Sequence, residues 1–166
     1  SYPQAYVSNT ASYVKSGDKS MYLKASNAGY GYLIMPKFTD PLNTLMLSFS
    51  HREGSNTAAY GYIDVGYMTD KTDEATFVSL AHYDHMAAWQ DEELYLSAIP
   101  AEVASTAYLV FRYGGGTGNG YVLAIDDILV EVMPTCKKVQ SLIVSDVTSS
   151  TANVAWTPIG DDTQWQ

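Results

Sequence analysis

The sequence predicts an all-β protein, and three observations carry that prediction. The 166 residues include 14 tyrosines and 12 glycines beside many valines and threonines, a composition typical of strands and the turns between them. No window repeats apolar residues at helical spacing over three turns. Apolar and polar residues alternate instead in short runs, which indicates strands that bury one face.

Composition and charge exclude several functional classes. Apolar residues make up 46% of the chain and charged ones 16%, a balance typical of a globular domain long enough to bury a core. The net charge of −9 repels phosphate backbones and argues against nucleic acid as a partner. No run of eighteen apolar residues is present, so this segment is not expected to insert into a membrane. The single cysteine, Cys136, excludes a disulfide within the chain.

Eight strands are predicted before residue 133. The first twenty residues are polar and are predicted to form a loop, and residues 84–91 are predicted to be either a loop or one turn of helix. The turn residues of 26–29 and the glycine-rich residues 114–120 favour two hairpins, one after the first strand and one before the last. The predicted strands cover residues 20–25, 30–35, 45–49, 60–68, 77–83, 93–97, 107–113 and 121–133.

The last of these strands is predicted to be the central one. Residues 121–133 are apolar on both alternating faces, so other strands must cover both sides. Asp126 and Asp127 interrupt the run, and a carboxylate inside a sheet costs several kcal/mol unless it is paired, hydrogen-bonded or bound to a cation. A turn-supporting role and a calcium ligand are the two readings left open for this acidic pair.

The strand count predicts a two-sheet jelly-roll β-sandwich over residues 1–133. The composition shifts at Met133 and Pro134, and residues 134–166 are predicted to be a linker followed by a short β-hairpin stub. Its second strand carries Trp156, and the two strands resemble the opening of a fibronectin type III domain, in which a tryptophan lies in the core.

Several segments between residues 16 and 133 resemble MAM-like and cleaved-adhesin jelly rolls of Bacteroidetes-type surface proteins, which belong to the galactose-binding-like sandwiches. The most specific is Val-Gly-Tyr-Met-Thr-Asp-Lys-Thr-Asp-Glu-Ala-Thr-Phe at 65–77. Trp89, the strand at 107–113 and the sequence Ala-Ile-Asp-Asp-Ile at 124–128 resemble the closing half of such domains, and residues 16–23 resemble their start. The framework cysteines of MAM domains are missing, which places the similarity on the bacterial, disulfide-free side.

The resemblance implies a module that binds glycans or proteins at the cell surface, commonly with a structural calcium ion. It assigns the metal first to Asp126 and then to Asp127, with Asp18 as a further contributor. Calcium takes six to eight oxygen ligands, so these carboxylates would need help from backbone carbonyls.

Catalysis is not predicted. Two adjacent aspartates on a strand point to opposite faces, whereas glycoside hydrolysis needs carboxyl groups that face each other across a cleft. Among the tyrosines and tryptophans, most are expected to pack in or between the sheets, and Tyr83 and Trp89 are the best placed to expose a ring that stacks on a ligand.

The predicted function is therefore a non-catalytic adhesion or binding module of a secreted or outer-surface bacterial protein, with a glycan or a host protein as its partner. The alternative is a structural spacer or accessory domain of a larger secreted hydrolase.

Overall fold

The computed structural model describes residues 4–25, 29–53, 61–84, 86–114, 121–135 and 139–157. They form two compact units, Ser1–Val132 and Met133–Gln166. The boundary lies one residue before the one expected from the change in composition. Residues 26–28 and 115–120, which carry most of the two predicted turns, lie outside the described residues, and so do His85 and Cys136.

The first unit is a sandwich of two antiparallel sheets, as the sequence predicts. The five-stranded sheet has the order β1-β2-β9-β4-β7 and the four-stranded sheet the order β3-β8-β5-β6. The strands are β1 Gln4–Ser8, β2 Ser20–Ala25, β3 Gly31–Ile34, β4 Leu45–Glu53, β5 Tyr62–Met68, β6 Phe77–Asp84, β7 Gln90–Tyr95, β8 Tyr108–Gly114 and β9 Tyr121–Val132.

Helical structure is confined to single turns between strands in the described part of the first unit. Four are 3₁₀ turns, and the fifth, α1, is one α-helical turn that Pro100 precedes. They cover Ala11–Tyr13, Leu42–Thr44, Glu74–Thr76, Leu96–Ala98 and Ala101–Ala104 (α1). None of these turns approaches the length of a membrane span, and no helix in the described residues is long and apolar enough to cross a bilayer.

The core lies between the two sheets and is built from the inward-facing residues of alternating strands. Phe49 of β4 meets Phe111 of β8 edge to face, with ring centroids 5.1 Å apart, and this contact joins the layers. The fully buried Leu47, Ile63 and Leu123 belong to the same hydrophobic core. Because side chains alternate along a strand, the neighbours of these residues point away from the core and define the outer face of each sheet.

Two predicted hairpins are wrong. β2 pairs with β1 and β9, whereas β3 pairs with β8 in the other sheet. β8 and β9, which the glycine-rich residues separate in the sequence, likewise lie in different sheets, since β8 pairs with β3 and β5. Turn residues signal that the chain reverses, but they do not determine which sheet the next strand joins.

The prediction of a loop over the first twenty residues also needs correction. Gln4–Ser8 forms β1, an edge strand that pairs with β2 in register from Gln4 opposite Lys24 to Ser8 opposite Ser20. β1 is an edge strand, paired on one side only, and its Val7 is exposed. Because β1 buries little surface, its sequence shows little of the apolar alternation that predicts a strand. Residues 86–89 are a loop, and β7 starts at Gln90, three residues before the prediction.

β9 is the central strand of its sheet, as predicted, but only its first half is covered on both faces. Residues 122–125 are buried, whereas Leu129 is 51% exposed and Val132 64% exposed. A β-bulge separates the halves, because one residue of β4, Phe49, stands opposite both Asp127 and Ile128. Asp127 takes a left-handed backbone conformation there, with φ of 50°.

The stretch that carries the family resemblance forms a hydrogen-bonded turn between β5 and β6. The Asp70 carboxylate accepts bonds from the backbone N–H of Thr72 (2.8 Å) and its hydroxyl (2.7 Å), and these bonds lower the pKa of Asp70. The Thr76 hydroxyl lies within hydrogen-bond distance of the carbonyls of Asp70 and Asp73, at 3.0 and 2.8 Å. The motif therefore fixes the point at which Phe77 begins β6.

The second unit contains a two-stranded antiparallel sheet, β10 Gln140–Ser145 and β11 Asn153–Thr157. Both strands were predicted. Every residue of β11 is exposed, and Trp156 is 41% exposed, so this tryptophan does not lie in a core. The resemblance to a fibronectin type III domain stays a prediction.

Candidate functional site

A row of polar side chains crosses the outer face of the four-stranded sheet. Tyr32 of β3 stands opposite Arg112 of β8, Arg112 stands opposite Asp64 of β5, and Asp64 stands opposite His82 of β6. These four residues, which we call the polar row, alternate along their strands with core residues such as Phe111 and Val65.

Asp64 is the centre of the polar row. The residue is only 3% exposed, and an ionised carboxylate at such a position requires partners. Its Oδ2 accepts hydrogen bonds from Nε (3.1 Å) and Nη2 (2.6 Å) of Arg112, and its Oδ1 lies 2.7 Å from Nδ1 of His82. Both carboxylate oxygens are thus engaged, and the charge is neutralised in place.

Aromatic rings hold the guanidinium group of Arg112 from both sides. Its central carbon lies 4.5 Å from the ring centroid of Tyr30 and 4.2 Å from that of Phe77. Burial lowers the pKa of Arg112, but the hydrogen bond and charge of Asp64 outweigh it and the net direction is upward. The cation is therefore permanent, and its planar donors are fixed in direction.

Two glycines make room for these rings. A Cβ on Gly114 would lie 2.3 Å from Cδ1 of Tyr30, so only glycine lets that ring cross the end of β8. A Cβ on Gly66 would lie 2.9 Å from Cζ of Phe77 and 2.0 Å from the carbonyl oxygen of Val78. Gly66 sits at a bulge between β5 and β6, which brings Phe77 over the sheet.

The remaining rings of this face keep their hydroxyl groups protonated at neutral pH. Burial, followed by the charge of Glu74, raises the pKa of Tyr32, whose hydroxyl lies 3.4 Å from that carboxylate. Burial and a hydrogen bond with Tyr30 raise the pKa of Tyr62, whose ring lies 4.7 Å from that of His82. Partly exposed phenols beside a fixed guanidinium group can donate and accept hydrogen bonds to hydroxyl-rich ligands.

The two residues predicted to offer stacking rings lie elsewhere. Tyr83 was expected to expose its ring, but it lies on the inward face of β6. Its ring centroid is 5.6 Å from that of Phe49, and burial raises the pKa of Tyr83 to about 12. The alternation that exposes His82 turns Tyr83 inward. Trp89 is partly exposed just before β7, in the other sheet, where its ring lies 5.9 Å from the guanidinium carbon of Arg52.

The predicted metal ligands are not brought together as a set. Asp126 and Asp127 lie on β9, and Asp18 is an exposed turn residue. Oδ2 of Asp126 accepts hydrogen bonds from the backbone N–H groups of Lys15 (2.8 Å) and Ser16 (3.2 Å), and its Oδ1 accepts one from N–H of Asp127 (2.8 Å).

Hydrogen-bond donors therefore surround the acidic pair. Asp127 accepts a further bond from the Ser16 hydroxyl. Calcium takes six to eight oxygen ligands, and the partners that the structure gives the acidic pair are N–H and O–H donors, so calcium binding by Asp126, Asp127 and Asp18 stays a prediction. Among the described residues, no group of three or more His, Cys, Asp and Glu side chains could hold a metal ion.

Sequence reasoning missed the polar row, although the signal was present. Arg112 interrupts an otherwise apolar strand, and Asp64 stands between Ile63 and Val65 in another. A charged residue in a strand that is otherwise buried must find a partner, and two of opposite sign in such strands indicate a pair. What the sequence did not show is that β5 and β8 are neighbours.

Comparisons with known proteins identify the fold. The sequence matches no protein-family model, and a search of curated proteins finds no significant match. Among solved structures, the chain is similar to the K1 cleaved adhesin domain of Lys-gingipain from Porphyromonas gingivalis W83. That match has a TM-score of 0.60 and 18% identity, and it covers 78% of this chain and 84% of the adhesin domain.

Two structures from Clostridium thermocellum are also similar. The C-terminal family 22 carbohydrate-binding module of Xyn10B matches with a TM-score of 0.56 and 15% identity over 81% of this chain and 84% of the module. The family 22 and family 10 modules of the N-terminal part of xylanase 10B, complexed with xylohexaose, match with a TM-score of 0.52 and 15% identity. That match covers 82% of this chain and 26% of the larger protein. The chain therefore has the cleaved-adhesin-like β-sandwich fold that carbohydrate-binding modules share.

Proposed function

We propose that this chain is a non-catalytic binding module of a secreted or surface protein, and that it binds neutral glycans on the outer face of the four-stranded sheet. One observation carries the proposal. A buried, fully paired carboxylate and a guanidinium group held between two rings lie on the side of the sheet that points away from the core. Such an arrangement presents fixed donors and aromatic edges to a ligand without the cost of ordering them on binding.

The two outer faces of the sandwich differ in a way that favours this choice. Residues 10–16 cross the five-stranded sheet, with the ring of Tyr13 5.1 Å from that of Tyr22 and the carbonyl of Ser12 bonded to Arg52. On the four-stranded sheet, the side chain of His82 is 53% exposed and the rings of Tyr30, Tyr32 and Tyr62 are partly exposed.

The charge of the face and of the chain favours neutral sugars. Asp64 neutralises Arg112, so the guanidinium group offers hydrogen bonds more than net positive charge. The chain as a whole carries a net charge of −9, which repels acidic polysaccharides. We therefore expect neutral oligosaccharides to bind more tightly than sulfated or uronic acid-rich ones.

Support from the comparisons lies at the level of the fold. Two of the similar structures are, or contain, carbohydrate-binding modules, and the third is an adhesin domain. Because one fold hosts many functions, the residues of the face carry the proposal and the fold only adds to it. Asp64 is also not placed to act as a catalytic acid or nucleophile, since its two carboxylate oxygens are hydrogen-bonded to Arg112 and His82.

A glycan array followed by titration calorimetry with the best neutral ligand, and with xylohexaose as a first probe, tests the proposal. Tyr32→Ala removes a partly exposed ring of the face and should weaken binding about fivefold, as loss of about 1 kcal/mol implies. Tyr6→Ala is the matched control, because Tyr6 is 40% exposed on β1, in the other sheet, and its loss should leave the affinity unchanged.

Failure of a folded chain to bind any glycan on the array would contradict the proposal. That result would favour the alternative of a spacer or accessory domain in a larger hydrolase, a setting in which a similar module occurs in xylanase 10B. If Tyr6→Ala and Tyr32→Ala weaken glycan binding equally, the binding site is not on the outer face of the four-stranded sheet.

A further inference from the structure

Residues 10–16 form a strap that runs from the end of β1 across the outer face of the five-stranded sheet. Tyr13 packs on Tyr22 of β2, and the carbonyl oxygen of Ser12 accepts a 3.1 Å hydrogen bond from Nη1 of Arg52 on β4. The strap then reaches the acidic pair, where the backbone N–H groups of Lys15 and Ser16 bind Asp126. It therefore connects β2, β4 and β9, which are neighbouring strands.

The side chain of Lys15 continues across the sheet. Its Nζ donates to Oγ of Ser50 on β4 at 2.8 Å and forms a salt bridge with Asp91 on β7. The same Nζ lies 3.8 Å from Oδ2 of Asp127 on β9. Ser50 in turn donates to Asp91 at 2.6 Å. One ammonium group thus contacts side chains from three adjacent strands.

A positive group at this position is required by the charges around it. Asp126, Asp127 and Asp91 approach one end of the strap, and the pKa of Lys15 is raised by its hydrogen bond to Asp91 and by the charges of all three carboxylates. Three carboxylates near one point repel one another unless a cation lies among them. A calcium ion and an ammonium group are alternative solutions, but a calcium ion accepts only lone pairs, whereas an ammonium group and amides donate protons.

We propose that Lys15 is the structural cation of this sandwich, so that its ammonium group and the two strap amides neutralise the acidic cluster in place of a calcium ion. The ion pairs and hydrogen bonds of Lys15 then hold the strap against the sheet, and the module needs no metal to fold. This inference concerns the five-stranded sheet and is independent of the binding face on the other sheet.

The pH dependence follows from the ion pair. Hydrogen bonds from Lys15 and then Ser50 hold the pKa of Asp91 below its ordinary 3.8, so its contribution to stability is present above pH 3.8 and is lost as the pH falls through the lower folded value. The hydrogen bond to Asp91 raises the pKa of Lys15 above 10.5, so that contribution is present below pH 10.5 and is lost at higher pH.

Thermal unfolding of three chains, with millimolar calcium chloride or with EDTA, tests the proposal at pH 7. The wild-type midpoint should be the same in both conditions. Lys15→Met should lower the midpoint by several degrees relative to wild type, and Lys71→Met should not. Lys71 is the matched control because it is an exposed lysine between β5 and β6, away from the acidic pair, and its replacement changes the net charge equally.

Two results would overturn the proposal. One is a wild-type midpoint that rises with calcium and falls with EDTA, and the other is a Lys15→Met chain as stable as Lys71→Met. The difference between these two variants should also shrink as the pH falls below 3.8 and through the lowered pKa of Asp91, and a difference that persists after Asp91 is protonated would show that packing alone accounts for it.

A second pair of variants keeps the test valid if Lys15→Met does not fold. Lys15→Arg retains the charge and should keep most of the stability. Asp91→Asn removes a partner whose side chain is 73% exposed, so the chain should still fold. In the double variant Lys15→Met/Asp91→Asn, the two losses should be less than additive, and additive losses would contradict a direct interaction.

Discussion

Asp64 and Arg112 depend on each other, and the outer face of the four-stranded sheet depends on both. Asp64 is 3% exposed and its carboxylate is paired with the guanidinium group, and this pair fixes the direction of Arg112 beside the rings of Tyr30 and Phe77. A buried pair of this kind adds little net stability relative to apolar residues, but removing one partner leaves an unpaired charge. The pair therefore specifies the geometry of the face.

Replacement of Arg112 by methionine should destabilise the chain by roughly 3 kcal/mol, because it leaves the buried carboxylate of Asp64 with His82 as its remaining partner. The double variant Asp64→Asn/Arg112→Met removes both charges and should recover part of that loss. Urea unfolding measures both free energies. If Arg112→Met alone is as stable as wild type, Asp64 does not need its partner and the polar row does not define the face.

Single residues also show what the sequence could and could not predict. Asp126 and Asp127 were expected to meet a positive or hydrogen-bonding group, and they do. The identity of that group was not predictable, because Lys15 lies 111 residues away and its segment reads as a polar loop. Tyr83 was misplaced for a different reason: one step of alternation decides whether a ring faces the core or the solvent.

At the scale of the element, the strands were far easier to predict than their partners. Period-two alternation located β2 at its observed bounds and β4, β5 and β6 within a few residues. The two hairpin predictions failed because β2 and β3, and likewise β8 and β9, lie in opposite sheets, which depends on long-range packing and not on turn chemistry. The polar row could not be assembled without that pairing.

The bulge at Gly66 shows how one element shapes the face. Gly66→Ala would place a Cβ 2.0 Å from the Val78 carbonyl oxygen, a backbone atom that cannot move alone, so β6 must shift and carry Phe77 with it. We expect a loss of about 1–3 kcal/mol in unfolding free energy and weaker glycan binding, because the Phe77 ring leaves Arg112.

Gly17→Ala is the control for this substitution. Its Cβ would meet nothing within 4 Å, so the cost is limited to the left-handed backbone at φ of 64°, about 1 kcal/mol. It should leave glycan affinity unchanged. Chemical denaturation and calorimetry measure both effects, and a Gly66→Ala chain that binds with wild-type affinity would show that Phe77 does not position the guanidinium group.

At the scale of the whole molecule, the two units differ in how they are held together. The hydrophobic core belongs to the first unit, from Leu23 to Ile125, with partly buried residues up to Val130 packed against it. In the second unit the large apolar residues of the described strands are exposed, including Leu142, Val154 and Trp156. A two-stranded sheet with exposed apolar side chains contributes little stability of its own.

A chain of residues 1–132 should therefore fold cooperatively by itself, with the urea midpoint of the full chain and the same glycan affinity. Trp89 is its only tryptophan, since the other two lie at positions 156 and 165, so fluorescence then reports the sandwich alone. The slope of the unfolding transition should change little, because the slope follows the surface that unfolding exposes and the described strands of the second unit are already exposed. A lower midpoint or a loss of cooperativity in the shortened chain would show that residues 133–166 stabilise the sandwich, and the binding measurement would then decide whether they also support the face.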